Sequence, residues 1–379
     1  MKALLIALFV STLVTVWLIQ STRRRGKGPL DDDFDKPQKL HAVPVPRLGG
    51  LGIVAGLVAA TALLWFTSSR YIATSLMVLL GCALPALVAG FYQDFSDTLT
   101  PRGRLLATAV SALLAFWIMD LAITRTAIPG LDWLVSFSLG SLLLTVFTVV
   151  GVANAVNLID GINGLASMCV VLMLAALAYV AFAVDDPLVG QLALAAIGAV
   201  LGFFLWNFPA GLIFLGDGGA YFSGFLVAEL SILLLNRNLG EVSPLFPLLV
   251  CIYPVFETLF SIYRRSVLRA SPSTVPDGIH LHSLIYRRLM RWAVGNRDAD
   301  ALIRRNSMTS PYLWVLCMAS LVPAVLFWDN TLALALFVLL FGVSYVVLYW
   351  RIVRFKSPRW MRPHRRRPPA SPRGDNRRT

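Results

Sequence analysis

Charge is scarce in this chain. Only 14% of its 379 residues are Asp, Glu, Lys or Arg, against roughly 25% in soluble domains. With 57% hydrophobic residues and a mean hydropathy of +0.72, that scarcity excludes a soluble globular or disordered protein and points to a lipid environment. Cysteine is scarce too. Cys82, Cys169, Cys251 and Cys317 stand far apart inside apolar runs with no CxxC spacing, which excludes a thiolate zinc site and a disulfide framework. Histidine occurs four times. No repeat of fixed period and no stretch polar enough for a soluble domain is present.

What is present is a series of long apolar runs. A bilayer core about 30 Å thick requires ~20 apolar residues per helix, and by that measure eleven spans are predicted, near 2–20, 49–67, 72–92, 104–123, 133–156, 164–184, 187–207, 218–236, 243–263, 311–328 and 330–350. The fold class expected is therefore an all-α polytopic membrane protein. Residues 1–350 form its integral membrane domain, 264–310 a long polar loop within it, and 351–379 a basic tail whose Arg- and Pro-rich composition predicts disorder. The first run differs from a signal peptide, which carries its charge before the apolar core and a small-residue cleavage site after it. Here Lys2 precedes the run and Arg23, Arg24 and Arg25 follow it, the pattern of an uncleaved span.

The net charge of +13 and pI near 10.1 could suggest nucleic acid, but its distribution assigns it to membrane topology. Nearly all Lys and Arg residues fall on the side holding 21–48, 93–104, 157–163, 208–217, 264–310 and the tail, while the other side holds Lys2, Arg70, Arg125 and Arg237. The positive-inside rule then places the N-terminus outside and the C-terminus in the cytoplasm. The tail reads as a topology determinant attracted to anionic lipid.

The polar clusters share that cytoplasmic side. They comprise Asp31-Asp32-Asp33 through Arg47-Leu48-Gly49-Gly50; Gln93-Asp94 with Asp97; Asn154, Asn157, Asp160 and Asn163, spaced three apart; Asp217 within Gly216-Asp217-Gly218-Gly219; and His280 with His282. Carboxylates without thiols are hard oxygen ligands suited to Mg²⁺. Glycine-rich turns at helix starts and basic residues suit phosphate. Together they fit a metal-bridged diphosphate handled at the membrane surface. Two acids lie elsewhere: Glu229 and Glu257 fall inside predicted spans, and Glu257, one to two turns before Arg264, either neutralises it or braces its helix.

Five strings, PQKLHAVPVPRLGG, GFYQDFSDTLTPRGRLL, NAVNLIDGINGLA, WNFPAGLIFLGDGG and PDGIHLHSLIYRR, resemble, in order, those of the polyprenyl-phosphate N-acetylhexosamine-1-phosphate transferases, glycosyltransferase family 4. That family also contains phospho-N-acetylmuramoyl-pentapeptide transferase, and the resemblance covers about residues 31–290. It implies an undecaprenyl-phosphate GlcNAc-1-phosphate transferase-like enzyme that moves a sugar 1-phosphate from a UDP-N-acetylsugar to undecaprenyl phosphate and releases UMP. Such an enzyme initiates a cell-surface glycan such as O-antigen, capsule or wall polymer, with Mg²⁺ or Mn²⁺ as cofactor. The protein would lie in the bacterial inner membrane with its site facing the cytoplasm, in contact with membrane lipid and not nucleic acid, and a homodimer is compatible with this.

Carried over residue by residue, the resemblance makes Asp217 the principal metal ligand with Asn157 beside it, and Asp160 the essential aspartate of its string. Asn207 and Phe214 would face the uracil, and Lys39, His41, His280 and His282 would lie near the phosphates and sugar. Asp94 is the remaining acid of a pair, and Asn163 takes the place of a second aspartate. Three departures stand out: Gln93 replaces the first acid of an Asp-Asp pair, Asn163 replaces an aspartate, and Ser283 ends a string that otherwise reads HxHH. A glutamine cannot accept the proton a base would take. Two rivals remain: a lipid-linked sugar transporter, which would place ionisable groups near the bilayer midplane, and an inactive family member acting as a scaffold.

The orientation is open to a direct check. An impermeant thiol reagent applied to intact cells is expected to reach cysteines placed at Asp186 or Asn238 and to miss those at Asn296 or Ser371; external labelling at Asn296 would invert the map.

Overall fold

The structure, a computed structural model, describes residues 1–25, 30–31, 45–67, 70–269, 280–290 and 299–354. Lys39, His41, the run Asp32-Asp33 and the basic tail from 355 to 379 lie outside the described residues, as does the side chain of Asp31. Helices α1 (Lys2–Arg25), α2 (Gly49–Thr67), α3 (Arg70–Ser96), α4 (Pro101–Met119), the short α5 (Pro129–Val135), α6 (Ser138–Ile159), α7 (Leu165–Ala183), α8 (Pro187–Asn207) and α9 (Gly216–Arg237) follow one another. Then come α10 (Leu245–Val250), α11 (Ile252–Tyr263), α12 (Leu281–Leu284), α13 (Ala299–Leu326) and α14 (Thr331–Val353). Among the described residues one strand pairing occurs, Leu30–Asp31 (β1) with Val45–Pro46 (β2), antiparallel. Among the described residues ten helices are long and apolar enough to cross a membrane, so the chain is an all-α polytopic membrane protein.

The ninth expected span, 243–263, is two helices. Pro254, the third residue of α11, has no N–H to offer the Val250 carbonyl one turn earlier, and proline inside a helix breaks its ladder there. The chain turns at Cys251, between α10 and α11. A second difference concerns the polar loop 264–310, because α13 begins at Ala299 and runs unbroken into the span expected at 311–328.

Helix α9 is the axis of the bundle. From Gly216 to Leu235 nearly every residue is buried, with α3, α6, α7, α2 and α8 packed around it. Without a hydrophobic drive between helices in lipid, close approach at small residues and hydrogen bonds takes over. Ser11 Oγ donates to the Ala199 carbonyl at 2.7 Å, locking α1 onto α8, where the carbonyl of Leu4 lies 2.1 Å from the place a Cβ on Gly198 would occupy. The first span is thus an integral helix of the bundle. At the periphery α14 exposes Leu332, Leu336, Leu339, Leu340 and Val343, an apolar face suited to lipid. The cysteines, dispersed in sequence, partly converge: Cys169 of α7 meets Cys317 of α13, with Cys251 nearby, all as free thiols.

One close approach matters most for the site. A Cβ on Gly90 of α3 would stand 2.4 Å from the Gly218 Cα of α9, a clash with backbone that no rotamer relieves. Gly90→Val is expected to destabilise the protein by about 1–3 kcal/mol through overpacking, read by thermal melting in detergent. Gly81→Ala on the same helix, with nothing within 4 Å of the new Cβ, should be neutral or slightly stabilising.

Candidate active site

The N-terminus of α9 is assembled from four of the five strings. Gly216 has φ +75°, and a Cβ there would meet the Arg47 carbonyl at 2.4 Å and Asp94 Oδ2 at 2.7 Å, so only glycine fits the turn that starts the helix. The N–H groups of Asp217 and Gly218 donate to Asp94 Oδ1 and Oδ2 at 2.9 and 3.0 Å. Asp94, 6% exposed, is therefore an N-cap lent by another helix. It satisfies two orphan donors and places negative charge at the positive end of the α9 dipole. Those two amides are committed to a carboxylate, so the glycine-rich turn does not offer them to phosphate as its sequence suggests. Behind it, the Phe214 N–H donates to the Pro46 carbonyl at 2.8 Å, and Gly49 and Gly50 N–H groups donate to the carbonyls of Phe214 and Leu215 at 2.9 and 3.1 Å. The first string is thereby clamped to the fourth.

Asp217 points away from this cap toward two partners from other helices. Arg104 Nη1 forms an ion pair with Asp217 Oδ2, and the Asn157 side-chain amide donates to the same carboxylate. Arg104 comes into position because Thr100 caps α4, accepting from the Gly103 N–H at 3.2 Å, with Pro101 opening the helix. Its guanidinium also lies 5.8 Å from the centre of the Tyr221 ring, and Tyr221 donates to Asn154 Oδ1 at 3.1 Å. Arg47 is near enough to act electrostatically on both Asp94 and Asp217. Asp160 terminates α6. Part of its surface stays open to solvent, yet crowding by protein atoms, then repulsion from Asp217 and Asp94, pushes its carboxyl up to about 8.

The chemistry of this donor set fits a divalent cation. Carboxylates that repel one another, with an arginine already neutralising one of them, want positive charge between them. Among the described residues no three His, Cys, Asp or Glu side chains gather closely enough to hold a metal ion by themselves. A cation here would take Asp217 and the Asn157 amide oxygen and complete its shell with water and phosphate oxygens, as Mg²⁺ does in phosphoryl-transfer sites.

Two of the residues singled out in the sequence make structural hydrogen bonds. Asn207, expected to face a base, is 4% exposed. Its Oδ1 accepts from the Gly164 N–H at 2.6 Å and its Nδ2 donates to the Ile213 carbonyl at 2.7 Å, so both ends of its amide are used to staple two loops. Asn163 likewise stitches its loop to α13: its N–H donates to Asn306 Oδ1 at 2.7 Å, its Nδ2 to the Pro209 carbonyl at 3.2 Å, and its carbonyl accepts from Ser310 Oγ at 2.5 Å. An aspartate could not donate to Pro209, which explains Asn163 where the strings suggest an acid. Ser283 is buried on α12. The half-buried Phe214 has its backbone in the clamp described above.

His280 and His282, each 5% exposed, stack with ring centroids 5.2 Å apart and planes 4° from parallel. His282 Nε2 lies 3.7 Å from the place a Cβ on Gly161 would occupy, so this segment borders the Asp160 loop. Glu257 of α11 lies beside both rings, its Oε1 3.5 Å from His280 Nδ1 and 3.8 Å from His282 Nδ1. Sequence reasoning missed Arg104 as a site residue and left Glu257 as a neutraliser or brace. The available signals were the Thr100-Pro101 helix start three residues before Arg104, and an acid inside a span.

The model of the family "Glycosyl transferase family 4" matches residues 76–235. The chain is 28% identical over 328 residues to a "Probable undecaprenyl-phosphate N-acetylglucosaminyl 1-phosphate transferase" of Bacillus subtilis, covering 79% of this chain and 81% of that protein. It is 31% identical over 288 residues to a "Phospho-N-acetylmuramoyl-pentapeptide-transferase" of Geobacillus thermodenitrificans, covering 72% and 88% respectively. A "Decaprenyl-phosphate N-acetylglucosaminephosphotransferase" of Mycolicibacterium smegmatis is 28% identical over 340 residues, covering 78% and 75%.

Gln93 does not face Asp217. Its Nε2 donates to Asp97 Oδ1 at 2.9 Å. Asp94→Ala is expected to destabilise the protein by about 1–2 kcal/mol, the range for a lost cap, and to lower activity, while Gln93→Ala stays within about 0.5 kcal/mol. Gln93→Asp should bring no gain in rate, because the new carboxylate would face Asp97. Equal losses in the two alanine variants, or a tenfold gain in Gln93→Asp, would contradict this division of labour.

Proposed function

Because the chain belongs to glycosyl transferase family 4, we propose that it transfers an N-acetylhexosamine 1-phosphate from a UDP-sugar to a polyprenyl phosphate, releasing UMP. The observation that carries this is the convergence of Asp94, Arg104, Asn157, Asp160 and Asp217 from four separate chain segments on one helix terminus. A lipid phosphate oxygen would attack the β-phosphorus, the bond from that phosphorus to the α–β bridging oxygen would break, and UMP would carry away the electron pair. A phosphate monoester has its second pKa near ~6, so the attacking oxygen needs no strong base and Gln93 is no obstacle.

Asp217 and the Asn157 amide would hold the Mg²⁺, which supplies charge stabilisation to the leaving phosphate. Arg104 and Arg47 offset the mutual repulsion of two anionic substrates, and the rigid cap on α9 fixes where Asp217 can point. Positioning and electrostatics then account for most of the acceleration, as in phosphoryl transfer generally. The excess of Lys and Arg on the side of the chain that holds the site, concentrated in 21–48, 264–310 and the tail, supports a cytoplasmic location at a bacterial inner membrane; undecaprenyl phosphate as acceptor and initiation of a cell-surface glycan complete the reading. A transporter would string ionisable groups through the bilayer. Glu229, midway along α9 with both carboxyl oxygens unpartnered, is one such group, but it stands apart from the cluster at the helix terminus.

Purified protein supplied with lipid phosphate, Mg²⁺ and a panel of radiolabelled UDP-N-acetylsugars is expected to form lipid-linked product with at least one donor. EDTA should abolish transfer, and Mg²⁺ or Mn²⁺ should restore it. Asp217→Asn should lower the rate at least about a hundredfold, as loss of one electrostatic group commonly does, with its melting temperature preserved. Near-native turnover in that variant would remove Asp217 from the site, and absence of product with every donor would remove the reaction.

A further inference from the structure

The histidine segment is held by groups outside the family match, which ends at residue 235. Glu257, 1% exposed, would be costly to bury without donors around it. It has several. The Leu281 N–H donates to Oε1 at 2.7 Å, and Tyr345 of α14 donates its hydroxyl to Oε2 at 2.7 Å. His280 Nδ1 lies 3.5 Å, and His282 Nδ1 3.8 Å, from that same Oε1. Both rings thus present the same nitrogen to one carboxylate oxygen at ion-pair distance, and their planes lie 4° from parallel. Because Nε2 is at the far edge of the ring from Nδ1, the arrangement aims His282 at the Asp160 loop, where Gly161 leaves room for it.

We propose that Glu257 is a positioning residue for the transfer reaction, fixing the tautomer and direction of His280 and His282, with Tyr345 of the last helix holding the carboxylate in place. This rests on the transferase reading above and adds to it a function for α11 and α14. The partner of one ring nitrogen decides which nitrogen carries the proton. A carboxylate at Nδ1 keeps the proton there and leaves Nε2 to meet substrate oxygens or a protonated phosphate. Around the carboxylate itself, besides the two histidines, Tyr253 on α11 and Tyr345 on α14 are the titratable side chains near enough among the described residues to feel its charge, and His282 borders the loop that holds Asp160 at Gly161.

The test combines kinetics with ¹⁵N-histidine spectra of the full-length protein in lipid nanodiscs, the two resonances being identified by loss in His280→Gln and His282→Gln. Glu257→Gln keeps an acceptor for Leu281 but withdraws the charge. It is expected to lower kcat about tenfold to a hundredfold, the usual cost of losing a group that orients a functional histidine. KM for the UDP-sugar should stay within about threefold, the pattern of an interaction made in the transition state, and the Nδ1 signals of both histidines should shift. Tyr345→Phe should move both readouts the same way by less, and it decides the matter if Glu257→Gln does not fold. Tyr349→Phe is the control: it removes a different hydrogen bond to α14, the one from Arg264 just beyond α11 to Tyr349, and should leave both readouts unchanged. Unshifted histidine signals in Glu257→Gln and Tyr345→Phe would overturn the proposal, as would shifted signals with native kcat. A wild-type protein that transfers nothing would defeat the reaction assigned above, while the spectra would still decide whether Glu257 aligns the histidines.

Discussion

The rest of the site depends on Asp94 capping α9 from a neighbouring helix. Its two oxygens take the N–H groups of Asp217 and Gly218, so the direction of Asp217 is set by a residue 123 positions away. That cap requires α3 to come within backbone contact of α9, and the contact exists because Gly90 and Gly218 carry no side chains. The clamp between Gly49-Gly50 and Phe214-Leu215 closes the third side. Remove the glycines and the cap cannot reach; remove the cap and the end of α9 is left with unsatisfied donors among buried neighbours.

The charges form a second layer of the same design. Asp217 and Asp94 disfavour charge on Asp160, Asp217 disfavours it on Asp94, Arg104 and Arg47 offset the charge of Asp217, and Arg47 also that of Asp94. Such a cluster is under tension without a bound cation, and Arg104 relieves it partly at Asp217. A residue that satisfies a carboxylate as an ion pair can instead satisfy a phosphate once that carboxylate has another cation. The geometry therefore gives the arginine two sets of partners within one pocket.

Much of this was legible in the sequence, and the losses have physical causes. The spans followed from apolar run length, and the gathering of Asp94, Asp160, Asp217 and Asn157 from their ordered strings. The break between α10 and α11 was missed because a window of hydropathy counts Pro247 and Pro254 as ordinary members of a run, while the backbone counts a missing N–H. The helical start of α13 was missed because residues 299–310 are polar by composition. They are polar because Asn306 and Ser310 stitch the Asn163 loop. Asn207 and Asn163 bear the residue types of ligand contacts, but buried amides are spent first on the backbone that surrounds them, and a sequence does not show which carbonyls lie within reach. Glu257 had no partner in its own stretch of chain; its partners Leu281 and Tyr345 come from two later segments.

A protein that handles phosphates at a helix terminus has two options for its amide dipoles. It can aim them at the substrate, as glycine-rich loops do in nucleotide-binding proteins, or it can satisfy them internally and bring side chains to the substrate. Here two of the free amides of α9, those of Asp217 and Gly218, are held by Asp94, so they are not offered to an anion. On the transferase reading proposed above, recognition of phosphate would fall to Arg104, Arg47 and a cation at Asp217. In return Asp217 sits on a backbone pinned at two points, beside a bilayer whose interior offers no water to repair a misplaced polar group. The fold trades a ready-made anion site for a rigidly aimed carboxylate, and a reaction that brings two phosphate-bearing substrates together at a membrane surface has more use for the second.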